Sequence, residues 1–207
     1  MNNATLRDQA SHKLILTAPL SGPLVPLERV PDPVFAQKMV GDGISIDPLD
    51  QCLRSPCDGQ IAQLHPAGHA VTVATPQGIE VLMHVGLDTV GLKGNGFTPK
   101  VRTGDSVRTG DALIDFDADY VATHAKSLLT QIVVTNSERV ATFAPRSGSV
   151  TVGRDVILEL TLADTQAEAA VESAKTITSE AILIPNPTGL HARPAAVLAN
   201  LAKKFKA

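Results

Sequence analysis

Residues 69–88 read HAVTVATPQGIEVLMHVGLD, two apolar runs joined by a Pro-Gln-Gly turn. In the second run apolar residues alternate with others, which is typical of a strand with one buried face. The predicted core face carries Ile79, Val81, Met83, Val85 and Leu87. The opposite face carries Glu80, Leu82, His84, Gly86 and Asp88. The stretch therefore predicts a β-hairpin that presents a histidine beside a glycine.

The turn of this hairpin predicts which residues face each other. Pro76 at the second position and Gly78 at the fourth fit a type I turn. With Pro76 and Gln77 at the centre of the hairpin, His69 lies directly opposite His84. Because directly opposed side chains have Cβ atoms about 5 Å apart, we expect the two imidazole rings to touch.

The rest of the chain from residue 13 to about residue 162 repeats short apolar runs between turn residues. The runs are Leu14–Thr17, Gln60–Leu64, Ala70–Thr75, Ile79–Val85, Ala112–Phe116, Gln131–Thr135 and Val156–Leu160. This spacing predicts an all-β fold, an antiparallel β-sandwich or barrel. Only residues 120–129 resemble a short helix in this region.

Composition changes after residue 162. We predict an N-terminal tail over 1–13, a complete β-domain over 14–162, and a linker rich in Ala, Glu and Gln over 163–179. Residues 180–207 combine a strand-like run, a Pro/Gly turn and a helix that begins near Pro194, a residue suited to the first helical position. Because one strand and one helix cannot bury a core, this segment is interpreted as the incomplete start of a second, α/β domain.

Charge and composition exclude several classes of function. The 207-residue chain has a net charge of −3 and a pI near 6.0, so it lacks the basic surface that binding to nucleic acid requires. It has no apolar segment of transmembrane length and no signal peptide, so we expect a cytoplasmic protein. Cys52 and Cys57 are interpreted as reduced thiols, since a structural zinc site would need more ligands.

The pair His69 and His84 is compatible with three kinds of chemistry: a metal site, acid–base catalysis, or a phosphohistidine. A catalytic zinc needs three protein ligands, and neither H-x-H nor H-E-x-x-H occurs, so no metal is expected. If the two histidines did bind a metal, the protein would be interpreted as a zinc metallopeptidase, which is kept as an alternative. Phosphoryl transfer requires the fewest additional groups, because a neutral imidazole is itself the nucleophile. The glycines after His84 form no Walker A loop, so we expect neither direct use of ATP nor a cofactor.

Four segments resemble enzyme IIA of the glucose class, a phosphocarrier of the bacterial sugar phosphotransferase system. They are DPVFAQKMVGDGISIDP (32–48), AGHAVTV (67–73), VLMHVGLDTVGLKGNGF (81–97) and RTGDSVRTGDALIDFD (102–117). The resemblance spans about residues 14–162 and implies an antiparallel β-sandwich of the duplicated hybrid motif type. It also implies that His84 accepts the phosphoryl group and that His69 supports its transfer. An apolar partner surface around His84 is expected to include Val40, Ile44, Val71 and Phe97.

One position departs from the family pattern. Residue 67 is alanine, whereas the better-known members carry threonine there. Any role of that hydroxyl in a proton relay is therefore absent here or taken by another group.

The segment NPTGLHARPAA (186–196) resembles the phosphorylation site of the small phosphocarrier HPr. The resemblance implies that His191 is the acceptor, with Arg193 beside it. A helix that begins near Pro194 would offer free N–H groups to an anion. Because only the first strand, active-site loop and first helix of HPr are included, we expect that His191 is not a competent carrier. The fusion is interpreted as a fragment of a multiphosphoryl transfer protein.

The resemblance also implies partners. His84 would receive phosphate from phospho-HPr and pass it to the IIB domain of a glucose or N-acetylglucosamine permease. Enzyme I would supply HPr with the phosphoryl group of phosphoenolpyruvate. The alternative is a regulatory binding protein whose choice of partner depends on phosphorylation of His84.

Overall fold

A computed structural model describes residues 13–163 of the chain. The strands of this part are β1 (Lys13–Thr17), β2 (Gly22–Val25), β3 (Asp42–Ile46), β4 (Cys52–Arg54), β5 (Gly59–Leu64), β6 (Ala70–Ala74), β7 (Glu80–His84), β8 (Phe97–Pro99), β9 (Ser106–Val107), β10 (Ala112–Phe116), β11 (Thr130–Val134), β12 (Val140–Pro145), β13 (Ser149–Val150) and β14 (Val156–Leu162). The α-helices are α1 (Pro33–Ala36) and α2 (Ala118–His124), and 3₁₀ turns span Leu27–Arg29, Thr89–Leu92 and Ser137–Arg139.

The strands form three sheets, and every pairing between them is antiparallel within residues 13–163. The largest sheet has the order β13-β2-β3-β11-β7-β6-β5-β9, and the smaller ones are β1-β14-β12 and β4-β10-β8. The predicted all-β antiparallel class is confirmed. The predicted domain limits remain predictions, and the linker and HPr-like segment lie outside the described residues.

The helix predicted over residues 120–129 starts and ends earlier than expected. It spans Ala118–His124, because the Asp117 carboxylate accepts a hydrogen bond from the Tyr120 backbone N–H at 2.9 Å and caps the first turn. At its other end Ala125 is extended, and Ser127 forms a β-bridge with Leu87. The chain therefore pairs with the sheet at Ser127, where the sequence pattern predicted that the helix continues.

All five residues of the predicted core face are buried, and four of them lie in the main core. Ile79, Val81, Met83 and Val85 are each at most 1% exposed and belong to the main core. Leu87 instead packs in a second cluster with Leu27, Val30, Phe35 and Val133, against the partly buried Leu82 and Val40. The alternation stops because β7 ends at His84 and Gly86 adopts a φ of +72°.

The predicted hairpin register is wrong by one residue. Ala70, not His69, lies opposite His84. The Gly78 N–H donates to the Thr75 carbonyl at 2.9 Å, as in a type I turn, but Gly78 itself has a φ of +76° and extends the loop to three residues. The hydrogen bond fits the predicted turn, and the additional left-handed residue moved the register.

Gly43 in β3 is a position where any side chain should destabilise the sheet. A Cβ there would lie 2.1 Å from the Ile132 carbonyl oxygen on β11. We expect Gly43→Ala to lower the free energy of unfolding by roughly 2–3 kcal/mol, because backbone of a central strand must move. Urea denaturation monitored by circular dichroism measures this change.

Gly91→Ala is the matched control, since a Cβ at that position would have no neighbouring atom within 4 Å. We expect it to change the free energy of unfolding by less than about 0.5 kcal/mol. Equal effects of the two substitutions would contradict the steric explanation.

Candidate functional site

His69 and His84 are in contact, although by a different route from the one predicted. His69 lies in the bend between β5 and β6, and its carbonyl accepts a hydrogen bond from the Val85 N–H at 2.9 Å. The two ring centroids are 4.8 Å apart, with the planes inclined by 70°. Because His69 precedes the regular part of β6, its ring can reach the side of the sheet on which the Ala70 and His84 side chains lie.

His84 lies in a row of paired residues that crosses the large sheet. It pairs with Ala70 on β6 and with Gln131 on β11, and Gln131 pairs in turn with Ser45 on β3. Directly paired residues of antiparallel strands project to the same face. The row therefore places one histidine at the end of a central strand among side chains from both neighbours.

A hydrogen bond to Gly86 sets the tautomer of His84. The Nδ1 atom of His84 is 2.8 Å from the Gly86 carbonyl oxygen. Since a carbonyl can only accept, Nδ1 must carry the proton and donate it. The neutral ring then has its lone pair at Nε2, the nitrogen that can act as a nucleophile.

The surroundings of His84 keep its ring neutral. Burial lowers the pKa of His84 from 6.5 to about 4, and the charge of His65 acts in the same direction. The hydrogen bond to Gly86 and the charge of Asp32 oppose this shift without cancelling it. The Phe35 ring contributes to the apolar environment, with its centroid 5.6 Å from that of His84. A neutral imidazole at pH 7 is the state that phosphoryl acceptance requires.

Asp32 is a site residue that the sequence analysis did not identify as such. It is 3% exposed and caps α1, accepting a hydrogen bond from the Val34 N–H at 2.9 Å. That cap holds α1, which carries Phe35, over the face of the sheet that bears His84. The sequence DPVF already contains the signal, since an Asp followed by Pro is a common helix start.

A third histidine, His65, was also missed. Its ring centroid lies 4.3 Å from that of His69, with the planes inclined by 51°. The sequence offers a signal, since HPAGH at 65–69 brackets a Pro/Gly turn with two histidines. A tight turn at Pro66–Gly68 brings the residues on either side of it together, as the next turn along the chain does.

The expected partner surface needs correction. Ile44 and Val71 are 2% and 1% exposed and belong to the main core, so they cannot contact a partner. Both belong to the row of paired residues that contains Met83, which is next to the row that contains His84. Their side chains therefore project to the face of the sheet opposite to the His84 side chain. Val40 is partly exposed beside the second cluster, and Phe97 is 9% exposed with its ring 6.1 Å from that of His69. Only these two remain candidates for the surface.

The remaining expectations concern residues of which the structure describes only some. Between residues 13 and 163, no group of three or more His, Cys, Asp or Glu side chains is arranged to hold a metal ion. No helix in this part of the chain is long and apolar enough to span a bilayer. Cys52 and Cys57 are free thiols. His191 and Arg193 lie outside the described residues, so their role stays a prediction.

Comparisons with known proteins agree with this fold. Residues 14–140 match the family described as phosphoenolpyruvate-dependent sugar phosphotransferase system, EIIA 1, and residues 178–207 match the PTS HPr component phosphorylation site. The PTS system glucose-specific EIIA component of Halalkalibacterium halodurans is 50% identical over 137 residues, which cover 66% of this chain and 79% of that protein.

Among solved structures, the glucose permease IIA from Mycoplasma capricolum is similar, with a TM-score of 0.68 and 35% sequence identity. The similarity covers 71% of this chain and 95% of that one. The chain therefore belongs to the EIIA family of the phosphoenolpyruvate-dependent sugar phosphotransferase system, and it is a phosphotransferase component that carries phosphoryl groups towards sugar.

Proposed function

We propose that Nε2 of His84 accepts the phosphoryl group from a phosphohistidine of HPr and passes it to the IIB domain of a sugar permease. The observation that carries this proposal is the hydrogen bond from Nδ1 of His84 to the Gly86 carbonyl, at 2.8 Å. It leaves the lone pair of a neutral ring at Nε2. Family membership supports the class of reaction, and this bond supports the choice of Nε2 as the accepting atom.

In the proposed step, the lone pair of Nε2 attacks phosphorus while the P–N bond to the donor imidazole breaks. The electron pair of that bond returns to the donor nitrogen, so no oxidant or further reactant is needed. The Nδ1 proton of His84 stays on its nitrogen, and the positive charge that the ring acquires is offset by the attached phosphoryl oxygens. The Gly86 carbonyl faces this developing positive charge and stabilises it.

His69 is proposed to support the transferring group. It is buried, with 3% of its surface exposed, and its ring touches the His84 ring at a centroid distance of 4.8 Å. An N–H of the imidazole can donate to a phosphoryl oxygen, and such a contact gains strength as charge develops on phosphorus. We therefore assign His69 to transfer and His84 to covalent attachment.

The two roles predict different effects of substitution. Incubation with phosphoenolpyruvate, enzyme I and HPr should attach acid-labile phosphate to the wild-type chain. His84→Ala should abolish this label, because the nucleophile is gone. His69→Ala should keep the label, while onward transfer to IIB falls by at least about 100-fold. Radiolabelled phosphoenolpyruvate and gel autoradiography measure both steps.

His124→Ala is the matched control, since it removes an exposed histidine stacked on Tyr120 in α2. It should label and transfer as the wild type does. Label that survives in His84→Ala would overturn the assignment of the acceptor. If His69→Ala lost as much label as His84→Ala, then His69 would also be required for attachment of the phosphoryl group, contrary to the proposal.

The pKa of His84 predicts how the acceptor responds to pH. A histidine with the ordinary pKa of 6.5 is mostly protonated at pH 5.5, whereas His84, with a pKa of about 4, should stay neutral there. We expect its imidazole ¹⁵N resonances to report the Nδ1–H tautomer from about pH 7.5 to about pH 5 and to titrate near pH 4. The same residue in the urea-unfolded chain should titrate near about 6.5. A midpoint near that ordinary value in the folded protein would contradict the proposed role of burial.

A further inference from the structure

His65 belongs to the same row of paired residues as the proposed acceptor. It follows β5 directly, and its backbone N–H donates to the Ala70 carbonyl at 2.9 Å. Ala70 in turn pairs with His84 on the neighbouring strand. The His65 side chain therefore lies on the face of the sheet that carries the site, one strand further from His84 than Ala70 is.

The turn after His65 holds this side chain in one orientation. The Ala67 N–H donates to Nδ1 of His65 at 3.1 Å, and the Gly68 N–H donates to the His65 carbonyl at 2.7 Å. Gly68 has a φ of +71°, and a Cβ there would lie 2.9 Å from Cγ of Pro99. Because Nδ1 accepts, the neutral ring carries its proton on Nε2.

The imidazole ring of His69 lies between the rings of His65 and His84. The centroid of His69 is 4.3 Å from that of His65 and 4.8 Å from that of His84. His69 is thus enclosed between a ring fixed by the turn and the ring of the acceptor, and only 3% of it is exposed. The methyl side chain of Ala67 offers no hydrogen bond to this row, so packing by the His65 ring is what the turn contributes.

We propose that His65 is a positioning residue for phosphoryl transfer at His84, and that it acts by holding the His69 ring against the phosphoryl group. This inference rests on the function proposed above. His65 itself touches neither the acceptor nor the phosphoryl group in this assignment. Its effect should therefore fall on the rate of onward transfer and not on the site of attachment.

Two substitutions separate the ring of His65 from its hydrogen bond. His65→Asn keeps an acceptor that can bind the Ala67 N–H, as asparagine does in an Asx-turn, but it removes the ring. His65→Phe keeps a ring beside His69 but removes the acceptor. Both variants are compared with the wild-type chain and with His124→Ala, using enzyme I, HPr and the IIB domain.

We expect both variants to become labelled on His84. Onward transfer to IIB by His65→Asn should have a kcat about 10- to 100-fold lower with an unchanged KM, which is the loss that misplacement of a supporting group produces. His65→Phe should stay within about threefold of the wild type. The ¹⁵N resonances of the His69 ring should shift in His65→Asn and change less in His65→Phe.

Wild-type transfer by His65→Asn, with unchanged His69 resonances, would overturn the inference and leave the proposed function intact. A larger loss in His65→Phe than in His65→Asn would also overturn it, because the turn and not the ring would then matter. Failure of the wild-type chain itself to become labelled would overturn the proposed function, and the inference with it.

Discussion

The hydrogen bond from Nδ1 of His84 to the Gly86 carbonyl is the constraint on which the site depends. It forms only because Gly86 adopts a φ of +72°, which turns its carbonyl back towards the ring two residues earlier. A Cβ at Gly86 would lie 2.8 Å from the Ser127 carbonyl oxygen. The Thr89 hydroxyl closes the same turn by donating to the Val85 carbonyl at 2.9 Å. The tautomer of one imidazole is thus determined by the packing of a turn.

Burial and this hydrogen bond act on His84 in opposite directions. Donation to a carbonyl favours the protonated ring, and so does the charge of Asp32, yet the pKa still falls to about 4. Burial is therefore the larger effect, and α1 supplies part of it through Phe35. In the proposed transfer a neutral ring attacks, and the phosphorylated ring is positive. The carbonyl of Gly86 and the carboxylate of Asp32 consequently stabilise the phosphorylated ring more than the neutral one.

The sequence was sufficient to predict the all-β class and the alternation of β7, whereas it predicted the contact between His69 and His84 from a pairing that the structure does not contain. Each depends on a local rule: a period of two along a strand, or a short turn between two runs. The predicted register failed because Gly78 is left-handed, and whether a type I turn adds such a residue is decided by the twist of the paired strands.

Tertiary packing explains what the sequence could not predict. Ile44 and Val71 were assigned to a surface by resemblance, but residues on a sheet can be assigned to a face only once the register is known. A shift of one residue moves a side chain to the other face. Asp32 and Phe35 are distant from the histidines in sequence, and only the packing of α1 on the sheet brings them to His84.

The three histidines reach one another because two consecutive hairpins differ in their loops. The β6–β7 loop closes between Thr75 and Ile79, and the register that results leaves His69 just outside β6. The β5–β6 loop closes between His65 and Ala70, so the same residue belongs to the bend of this second hairpin. With a β6–β7 loop one residue shorter, His69 itself would have paired with His84 in place of Ala70. The position of the His69 ring is therefore a consequence of both turns together, and His65, which follows β5, becomes its neighbour for the same reason.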